Sequence, residues 1–312
     1  MGTQNQSQLP LIDFTNENLK PGTDTWVSSC QLVRSALEDH GCFLVLYDKV
    51  DSVIYNSVYS AMEKLFDLST ETKSKKTTEK PIYSYAPRIS ELPLYESVGI
   101  MNPLNIEDCQ KFSYIMWPEG NDHFCESVNS YAKQLVELDH IVKKMLFESY
   151  GLERKKFESL LESTDYVLRG YKYKTPQVGE SNLGVAPHCD KTFFTILNQK
   201  VEGLGAKLKD GEWFEVDVSP SLYLVMGGDA IKVWSNDRIP ACEHGVFIKS
   251  KIERSSMGLL SYAGKIMEPP EELVDEEHPL RYKTFDHYGY LRFVFSEEAK
   301  KSASPIKAYC GI

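Results

Sequence analysis

One short segment of this 312-residue chain carries two side chains that bind transition metals. His188 and Asp190 flank Cys189 at the start of an apolar stretch. In an extended strand alternate residues share a face, so the imidazole and the carboxylate point the same way. With a distant histidine they would form the facial triad of a non-haem Fe(II) oxygenase, which leaves coordination positions open. Alone the motif is weak, because seven His and 45 acidic residues predict about one His-x-Asp/Glu by chance.

A third metal ligand has one candidate in the strand-rich half of the chain. His244 precedes the apolar segment that begins at Val246, and a jelly roll would bring it opposite His188. The sequence therefore predicts a metal site of His188, Asp190 and His244. The other five histidines lack ligand spacing and are predicted to be surface or helix-end groups: His40, His123, His140, His278 and His287.

A receptor for a carboxylate lies ten residues after His244. Alternation along a strand puts Arg254 and Ser256 on one face. The guanidinium offers two charge-assisted hydrogen bonds to a carboxylate, and the hydroxyl offers a third. A metal triad and a carboxylate anchor together suit 2-oxoglutarate: the metal would chelate the 2-oxo acid end, while Arg254 and Ser256 hold the far carboxylate.

The elements around these residues divide the chain into a helical first half and a strand-rich second half. Hydrophobic periodicity predicts helices near 26–40, 54–65, 122–150 and 154–161. The segment 69–105 is polar and is predicted to be irregular, whereas Lys209–Glu212 has the Asp-Gly signature of a tight hairpin. Strands are predicted at 9–14, 42–47, 166–173, 192–198, 205–208, 213–216, 222–226, 231–234, 246–249 and 256–262.

Many short strands separated by turns predict a sandwich, barrel or jelly roll. The expected fold class is α+β: a double-stranded β-helix (jelly-roll) core with a helical N-terminal region and a C-terminal tail that covers the pocket. We expect an N-terminal region at 1–120 and backbone helices at 121–163. The catalytic core is expected at 164–267 and the covering tail at 268–312.

Composition excludes several classes of partner. The formal net charge of −10 repels phosphate backbones and anionic membrane surfaces. The first ten residues lack a secretory pattern, and the longest apolar run, Cys42–Tyr47, is too short to span a bilayer. Seven scattered cysteines without a Cys-x-x-Cys pair indicate reduced thiols. The sequence therefore predicts a cytoplasmic monomer that binds a small molecule, with neither nucleic acid nor membrane as partner.

Segments along nearly the whole chain resemble the plant soluble 2-oxoglutarate- and Fe(II)-dependent dioxygenases. Within that family, the segments 203–213, 225–230 and 233–236 are most similar to the specialised-metabolism group that includes the alkenyl- and hydroxyalkyl-producing glucosinolate enzymes. The segments that carry the family resemblance are Leu9–Asp13, Gly41–Val45, Leu65–Ser69 before Glu71–Lys73, His188-x-Asp190 with His244, and Arg254-x-Ser256.

The resemblance implies a reaction and a ligand set. His188, Asp190 and His244 would bind Fe(II), and Arg254, Ser256 and Tyr173 would bind 2-oxoglutarate. O2 would be a co-substrate, and ascorbate an additional reductant. Oxidative decarboxylation of 2-oxoglutarate to succinate and CO2 would drive hydroxylation, desaturation or demethylation of a small, mostly apolar plant metabolite.

Two positions depart from the family pattern. Gly245 stands where arginine commonly follows the distal histidine, and Ser255 stands where an aromatic residue commonly separates Arg254 from Ser256. Neither is a ligand, so the departures bear on how the substrate is oriented.

Substrate contacts are expected from aromatic and apolar residues, because small-molecule pockets are mostly apolar. Two alternatives remain open at this stage. A metal-dependent oxidase or zinc hydrolase on the same barrel would have no need of Arg254 with Ser256, and a non-catalytic binding protein would be expected to lose a ligand. The expected substrate contacts are Tyr83, Tyr85, Phe112, Leu260, Phe285 and Tyr288.

Overall fold

The computed structural model of the protein describes residues 9–75, 77–80, 84–264 and 266–311. The helices are α1 Asp24–His40, α2 Ser52–Phe66, α3 Thr70–Lys73, α4 Ile106–Met116, α5 Asp122–Ser149, α6 Arg154–Glu162, α7 Asp229–Trp234, α8 His287–Phe293, α9 Glu297–Lys301 and α10 Pro305–Cys310, with a 3-10 helix at Glu271–Leu273. The strands are β1 Leu11–Asp13, β2 Cys42–Leu46, β3 Tyr85–Ala86, β4 Tyr95–Met101, β5 Thr164–Tyr173, β6 Leu183–Cys189, β7 Phe194–Gln199, β8 Leu204–Lys207, β9 Trp213–Glu215, β10 Leu222–Gly227, β11 Glu243–Phe247 and β12 Arg254–Ala263.

The strands form two sheets that face each other across a cavity. The larger sheet has the order β1-β2-β10-β7-β12-β5-β4-β3, and the smaller has the order β6-β11-β8-β9. Except for the parallel pair β1 and β2, neighbouring strands are antiparallel. This is a jelly-roll core, one of the three architectures that the short strands predict. The predicted hairpin also forms, because β8 pairs with β9 around Gly211, whose φ is +87°.

Helix α5 supports the larger sheet from behind. It begins where the side chain of Asn121 accepts a hydrogen bond from Phe124 N, and the apolar face of its 28 residues is buried. Lys143 and Asp139 form a buried ion pair of 2.7 Å on this helix, and Tyr166 of β5 donates to Asp139 Oδ2 at 2.6 Å. The polar contact fixes α5 against β5. Long as it is, α5 is too polar to cross a bilayer, and no other helix of the described chain qualifies either.

Two predictions about secondary structure are wrong. The segment 231–234, predicted as a strand, belongs to helix α7, because a short apolar run does not distinguish a buried strand from a buried helix. The amides of Asp229 and Ala230 at the start of α7 donate to the carbonyls of Asp190 and Thr192. The helix therefore fixes the backbone that follows β6.

The segment 69–105 is not irregular, because it contains α3, β3 and β4. Glu96 of β4 is 2% exposed and contacts Lys73 at 3.2 Å and Arg88 at 2.8 Å. Ser97 of β4 is also fully buried. Since paired polar residues fill buried positions of this strand, its sequence lacks the apolar pattern that predicts a strand.

Gly41 helps to fix the position of the backbone at the start of β11, the strand that carries His244. It ends α1 with φ +70°, and a Cβ on it would lie 2.5 Å from the carbonyl oxygen of Pro240. Gly227 N donates to Gly41 O, and Cys242 N donates to Gly227 O. These bonds join the ends of α1 and β10 to the segment 240–242, which leads directly into β11.

Replacing Gly41 by alanine tests this close approach. Gly151 is a matched control, because its φ is +68° but a Cβ on it would have no atom within 4 Å. Gly151→Ala should lower the free energy of unfolding by about 1 kcal/mol, the cost of a left-handed non-glycine residue. Gly41→Ala should lower it by about 3 kcal/mol, because the backbone must also move. Urea unfolding measures both values, and equal losses would contradict the role of the close contact.

Candidate active site

The three predicted metal ligands meet in the cavity between the sheets. His188 lies near the end of β6, and the register of β11 pairs His244 directly with it. Asp190 follows β6, and its Oδ1 lies 3.7 Å from His188 Nε2 and 3.9 Å from His244 Nε2. One ligand atom from each residue lies within 4.8 Å of the other two. The structure therefore brings together the ligand set that the sequence predicts.

Backbone carbonyls orient both imidazoles. His188 Nδ1 lies 2.9 Å from Ala186 O, and His244 Nδ1 lies 3.2 Å from Cys242 O. Because a carbonyl oxygen only accepts hydrogen bonds, each Nδ1 carries the proton. In the neutral tautomer with this proton, each Nε2 has a lone pair directed at the centre of the triad, as a metal ligand requires.

The carboxylate of Asp190 is ionised for the same purpose. Burial opposes its ionisation, but His244, His188 and the hydroxyl of Thr195 outweigh burial and hold the pKa of Asp190 below its usual range. Thr195 Oγ1 donates to Asp190 Oδ2 at 2.6 Å, which leaves Oδ1 facing the imidazoles. Burial meanwhile lowers the pKa of His244, favouring the neutral imidazole. Two neutral nitrogens and one carboxylate oxygen on one side of a cavity fit Fe(II) with open positions.

Alternating residues of β5 and β12 form one wall of the cavity, which has a volume of about 260 Å³. The C-terminal segment closes another side with Leu291, Val294 and Phe295. From β5 the lining residues are Arg169, Tyr171 and Tyr173, and from β12 they are Arg254, Ser256, Leu260 and Tyr262.

Arg254 is a buried cation at one end of this wall. Its side chain is 1% exposed, and its guanidinium lies 4.8 Å from the centre of the Tyr173 ring. Nη1 donates to Ser256 Oγ at 3.0 Å and Nη2 to Gln199 Oε1 at 2.9 Å, both neutral acceptors. Nε has no hydrogen-bond partner among the described residues. A buried charge of this kind is costly without a counter-ion, so the site fits the carboxylate of 2-oxoglutarate.

Of the expected substrate contacts, Leu260 lines the cavity. Tyr83 lies outside the described residues. Tyr85 is not among the lining residues: its hydroxyl donates to Glu96 Oε2 at 2.9 Å, and its neighbour Ala86 lines the cavity instead.

Three expected contacts need correction, because the described cavity lining does not include them. Phe112 is buried in the core and stacks on Phe124 at 5.6 Å. Phe285 is completely buried among aromatic residues of the C-terminal segment. The hydroxyl of Tyr288 donates to Asp165. An aromatic side chain in the sequence does not reveal whether it faces the core or a pocket.

The sequence analysis missed several residues that line the cavity. Extending the period-two alternation from Tyr173 back along β5, and from Ser256 forward along β12, would have found those on the two strands. Those from other elements have no comparable sequence signal. The missed residues are Ala86, Tyr95, Arg169, Tyr171, Val185, Lys191, Thr192, Leu197, Leu204, Val246, Tyr262, Leu291, Val294 and Phe295.

The two departures from the family pattern lie away from the lining of the cavity. A Cβ on Gly245 would lie 3.3 Å from Val185 O, so a larger residue would press on β6. Ser255 falls on the opposite face of β12 from Arg254 and Ser256 and accepts a backbone hydrogen bond from Lys200.

His287 is the first residue of α8 and so lies at a helix end, as the sequence predicts, but its side chain is buried. Ala263 N donates to its Nδ1 at 2.9 Å, so Nε2 carries the proton and donates to Lys191 O at 2.6 Å. Burial lowers the pKa of His287 to about 4. The neutral ring therefore joins the residue after Asp190 to the end of β12 and the start of α8.

Removing the hydroxyl of Thr195 should weaken metal binding. Thr195→Val keeps the shape of the side chain but frees Asp190 Oδ2, and the loss of such a supporting hydrogen bond costs about 10- to 100-fold in metal affinity. Thr195→Ser keeps the hydroxyl and serves as the control. Anaerobic Fe(II) titration measures both variants, and wild-type affinity in Thr195→Val would refute the orienting role.

His287 should make the fold sensitive to acid. Its pKa is near 6.5 when unfolded and about 4 when folded, so the folded state disfavours protonation. Its contribution is therefore complete above pH 6.5 and is lost as the pH falls towards 4, by about 3 kcal/mol. The difference in unfolding free energy between wild type and His287→Gln, measured by urea unfolding, should shrink over that range. A pH-independent difference would contradict this assignment.

Two family models match the chain. The model of the 2OG-Fe(II) oxygenase superfamily matches residues 164–261, and that of the non-haem dioxygenase in morphine synthesis N-terminal matches residues 9–120. A probable 2-oxoglutarate-dependent dioxygenase of Arabidopsis thaliana, AOP1.2, is 39% identical over 311 residues, covering 97% of this chain and 95% of that protein. The Arabidopsis 2-oxoglutarate-dependent dioxygenase AOP3 is 29% identical, covering 98% of each chain.

Solved structures are similar along most of the chain. The crystal structure of the rice dioxygenase for auxin oxidation has a TM-score of 0.80 and 27% identity, covering 96% of this chain and 98% of that one. The Arabidopsis dioxygenase for auxin oxidation 1, in its complex with 2-oxoglutarate, has a TM-score of 0.77 and 28% identity, covering 87% and 100%. Because the two family regions together span more than half of the chain and a relative matches nearly all of it, the protein belongs to the 2OG-Fe(II) oxygenase superfamily and groups with plant dioxygenases of specialised metabolism.

Proposed function

We propose that His188, Asp190 and His244 hold the iron of this Fe(II)- and 2-oxoglutarate-dependent dioxygenase, and that Arg254 holds its 2-oxoglutarate. The observation that carries the proposal is the buried guanidinium of Arg254, which lines the same cavity as the triad and has neutral hydrogen-bond partners. A buried cation in addition to the metal triad has a role if it binds the carboxylate of a ligand.

Iron held by His188, Asp190 and His244 would supply O2 activation, with 2-oxoglutarate as the reductant that is converted to succinate and CO2. In a hydroxylation, one oxygen atom would enter succinate and the other the substrate. The protein's part is to position the reactants and exclude water. Arg254 and Ser256 give the far carboxylate of 2-oxoglutarate up to three hydrogen bonds. Tyr173 packs its ring on the guanidinium and limits the movement of that side chain.

The substrate is proposed to be a small metabolite with a mostly apolar body. Leu260 of β12 and the C-terminal residues Leu291, Val294 and Phe295 supply apolar surface to the cavity. The two structural relatives described above are named for auxin oxidation, and auxin is a small molecule. Hydroxylation, desaturation and demethylation all begin at a C–H bond of the substrate, so the way the cavity positions the substrate contributes to which of them occurs.

We propose that the segment 268–312 acts as the cover of this cavity, over a catalytic core at 164–267 and beside the helical regions 1–120 and 121–163. All seven cysteines are free, which suits the reducing cytoplasm. We also propose that the protein is a monomer. Light scattering of the purified protein measures its mass and so tests whether it is a monomer.

A metal enzyme that makes no use of 2-oxoglutarate is the second candidate, and Arg254 disfavours it. Such an enzyme would bury a guanidinium beside its metal at a cost of several kcal/mol without a counter-ion. The complete triad likewise disfavours a non-catalytic binding protein.

Anaerobic titration of the apo-protein with Fe(II) and then 2-oxoglutarate tests the proposal. A visible charge-transfer band should appear, because the 2-oxo acid chelates the metal. Arg254→Gln should raise the concentration of 2-oxoglutarate needed for half of this band by about 10- to 100-fold, since charge-assisted hydrogen bonds contribute about 1.5–3 kcal/mol.

Arg154→Gln is the matched control, because Arg154 is an exposed residue of α6 that pairs with Glu158. It should behave as wild type. Iron binding without a band in the wild-type protein would overturn the 2-oxoglutarate assignment. An unchanged titration in Arg254→Gln would overturn the role of that residue alone.

A further inference from the structure

The proposed metal ligand Asp190 lies within residues 189–192, which we call the ligand segment. All four carbonyl oxygens of this segment accept hydrogen bonds. Two of the donors are backbone amides at the start of α7: Asp229 N donates to Asp190 O at 2.8 Å, and Ala230 N donates to Thr192 O at 3.1 Å. These two bonds attach the ligand segment to α7.

The other two donors to the ligand segment are side chains. Lys191 Nζ donates to Cys189 O at 2.9 Å, and His287 Nε2 of α8 donates to Lys191 O at 2.6 Å. A lysine side chain has many rotamers, so a fixed position needs a further contact. The ammonium group of Lys191 forms an ion pair of 2.8 Å with Asp229. The position of Lys191 therefore depends on Asp229.

Tyr290 of α8 completes this network. Its hydroxyl donates to Asp229 Oδ2 at 2.6 Å, and the same oxygen accepts from Lys191. Tyr290 is fully buried and Asp229 is 6% exposed, and hydrogen bonds are stronger in such surroundings than in water. Tyr290 follows His287 by three residues, so both lie on one face of α8. That face contacts the ligand segment both directly and through Asp229.

The same helix contributes to the substrate cavity. Leu291 of α8 lines the cavity, and so do Val294 and Phe295, which directly follow the helix. A movement of α8 away from the ligand segment would therefore weaken the support of Asp190 and open the apolar wall at the same time.

We propose that Tyr290 and Asp229 are positioning residues that couple iron binding to the docking of the C-terminal segment on the cavity. The inference rests on the proposed function and adds a conformational step to it. Iron fixes the ligand segment, the fixed segment holds α8, and α8 completes the apolar wall that the substrate contacts. Because such coupling is reciprocal, docking of α8 strengthens iron binding by the same factor.

Anaerobic Fe(II) titration measures one direction of this coupling. Tyr290→Phe keeps the ring and removes the hydroxyl, and it should weaken Fe(II) binding by about 10-fold, because contacts that support metal ligands contribute about 10- to 100-fold in affinity. Tyr282→Phe is the matched control, since Tyr282 is a buried tyrosine of the C-terminal segment whose hydroxyl donates to a different carboxylate, that of Asp237. Tyr282→Phe should bind Fe(II) as wild type does.

A double variant tests whether Tyr290 acts through Asp229. In the Asp229→Ala background the hydroxyl of Tyr290 has lost its acceptor, so Tyr290→Phe should lower the Fe(II) affinity by less than about 2-fold there. A full 10-fold loss in that background would overturn the role of Asp229.

Hydrogen exchange measures the opposite direction of the coupling. The amides of Tyr290 and Val294 donate to carbonyls of the preceding turn, so their exchange reports the opening of α8. Saturation with Fe(II) should slow their exchange by about 10-fold, the same factor as in the titration. Helix α6 contributes no donor to the ligand segment, and its exchange should stay unchanged. In Tyr290→Phe the slowing should disappear.

The outcomes separate this inference from the proposed function. Failure of the wild-type protein to bind Fe(II) refutes the metal triad. Wild-type Fe(II) affinity in Tyr290→Phe overturns only the coupling, and so does an equal loss in Tyr282→Phe, because the hydroxyl would then affect stability alone. Unchanged exchange of α8 on Fe(II) binding also overturns it, and that measurement needs only the wild-type protein.

Discussion

Three donor atoms must face one point in space, and the pairing of β6 with β11 meets this requirement. His244 lies directly across from His188, and the carboxylate of Asp190 follows at the end of β6. A shift of one residue in this register would turn His244 to the opposite face of the sheet. Backbone hydrogen bonds before β11 and after β6 oppose such a shift. The Gly41 and Gly227 hydrogen bonds fix the chain before β11, and the first amides of α7 hold the backbone of Asp190.

The need to orient the three donor atoms also explains the polar groups around the triad. Each side chain of the proposed metal triad has a second contact that leaves one donor atom free: a carbonyl for each imidazole and Thr195 for the carboxylate. His287 adds a longer connection, since it joins the segment after Asp190 to α8. The C-terminal segment, which supplies part of the apolar wall, is thereby attached to the metal site itself.

The cavity contains a buried positive charge that an anionic ligand stabilises. Burying Arg254 without an anion costs free energy, and burial accordingly lowers the pKa of its guanidinium. Binding of the 2-oxoglutarate dianion offsets this cost, and the free energy that is recovered strengthens its binding.

The sequence by itself determined the chemistry of the centre. His188 with Asp190, and Arg254 with Ser256, were predicted from two-residue alternation along a strand, which depends only on the backbone. His244 was predicted because it is the one other histidine of the strand-rich half. Many short strands separated by turns predicted a sandwich, barrel or jelly roll, because strand length and turn residues are local features of the chain. Such short-range patterns can be recognised in the sequence, because they depend only on residues that are close together along the chain.

Tertiary structure alone decided which other side chains reach the cavity. Phe112 and Phe285 looked suitable for an apolar ligand, yet they fill the core. Arg169 was overlooked, although it lines the cavity. Strand β4 was hidden because its buried positions hold a paired glutamate and a serine. An aromatic or charged residue has the same identity in a core, an ion pair or a pocket, and only contacts between distant segments decide which of these it occupies.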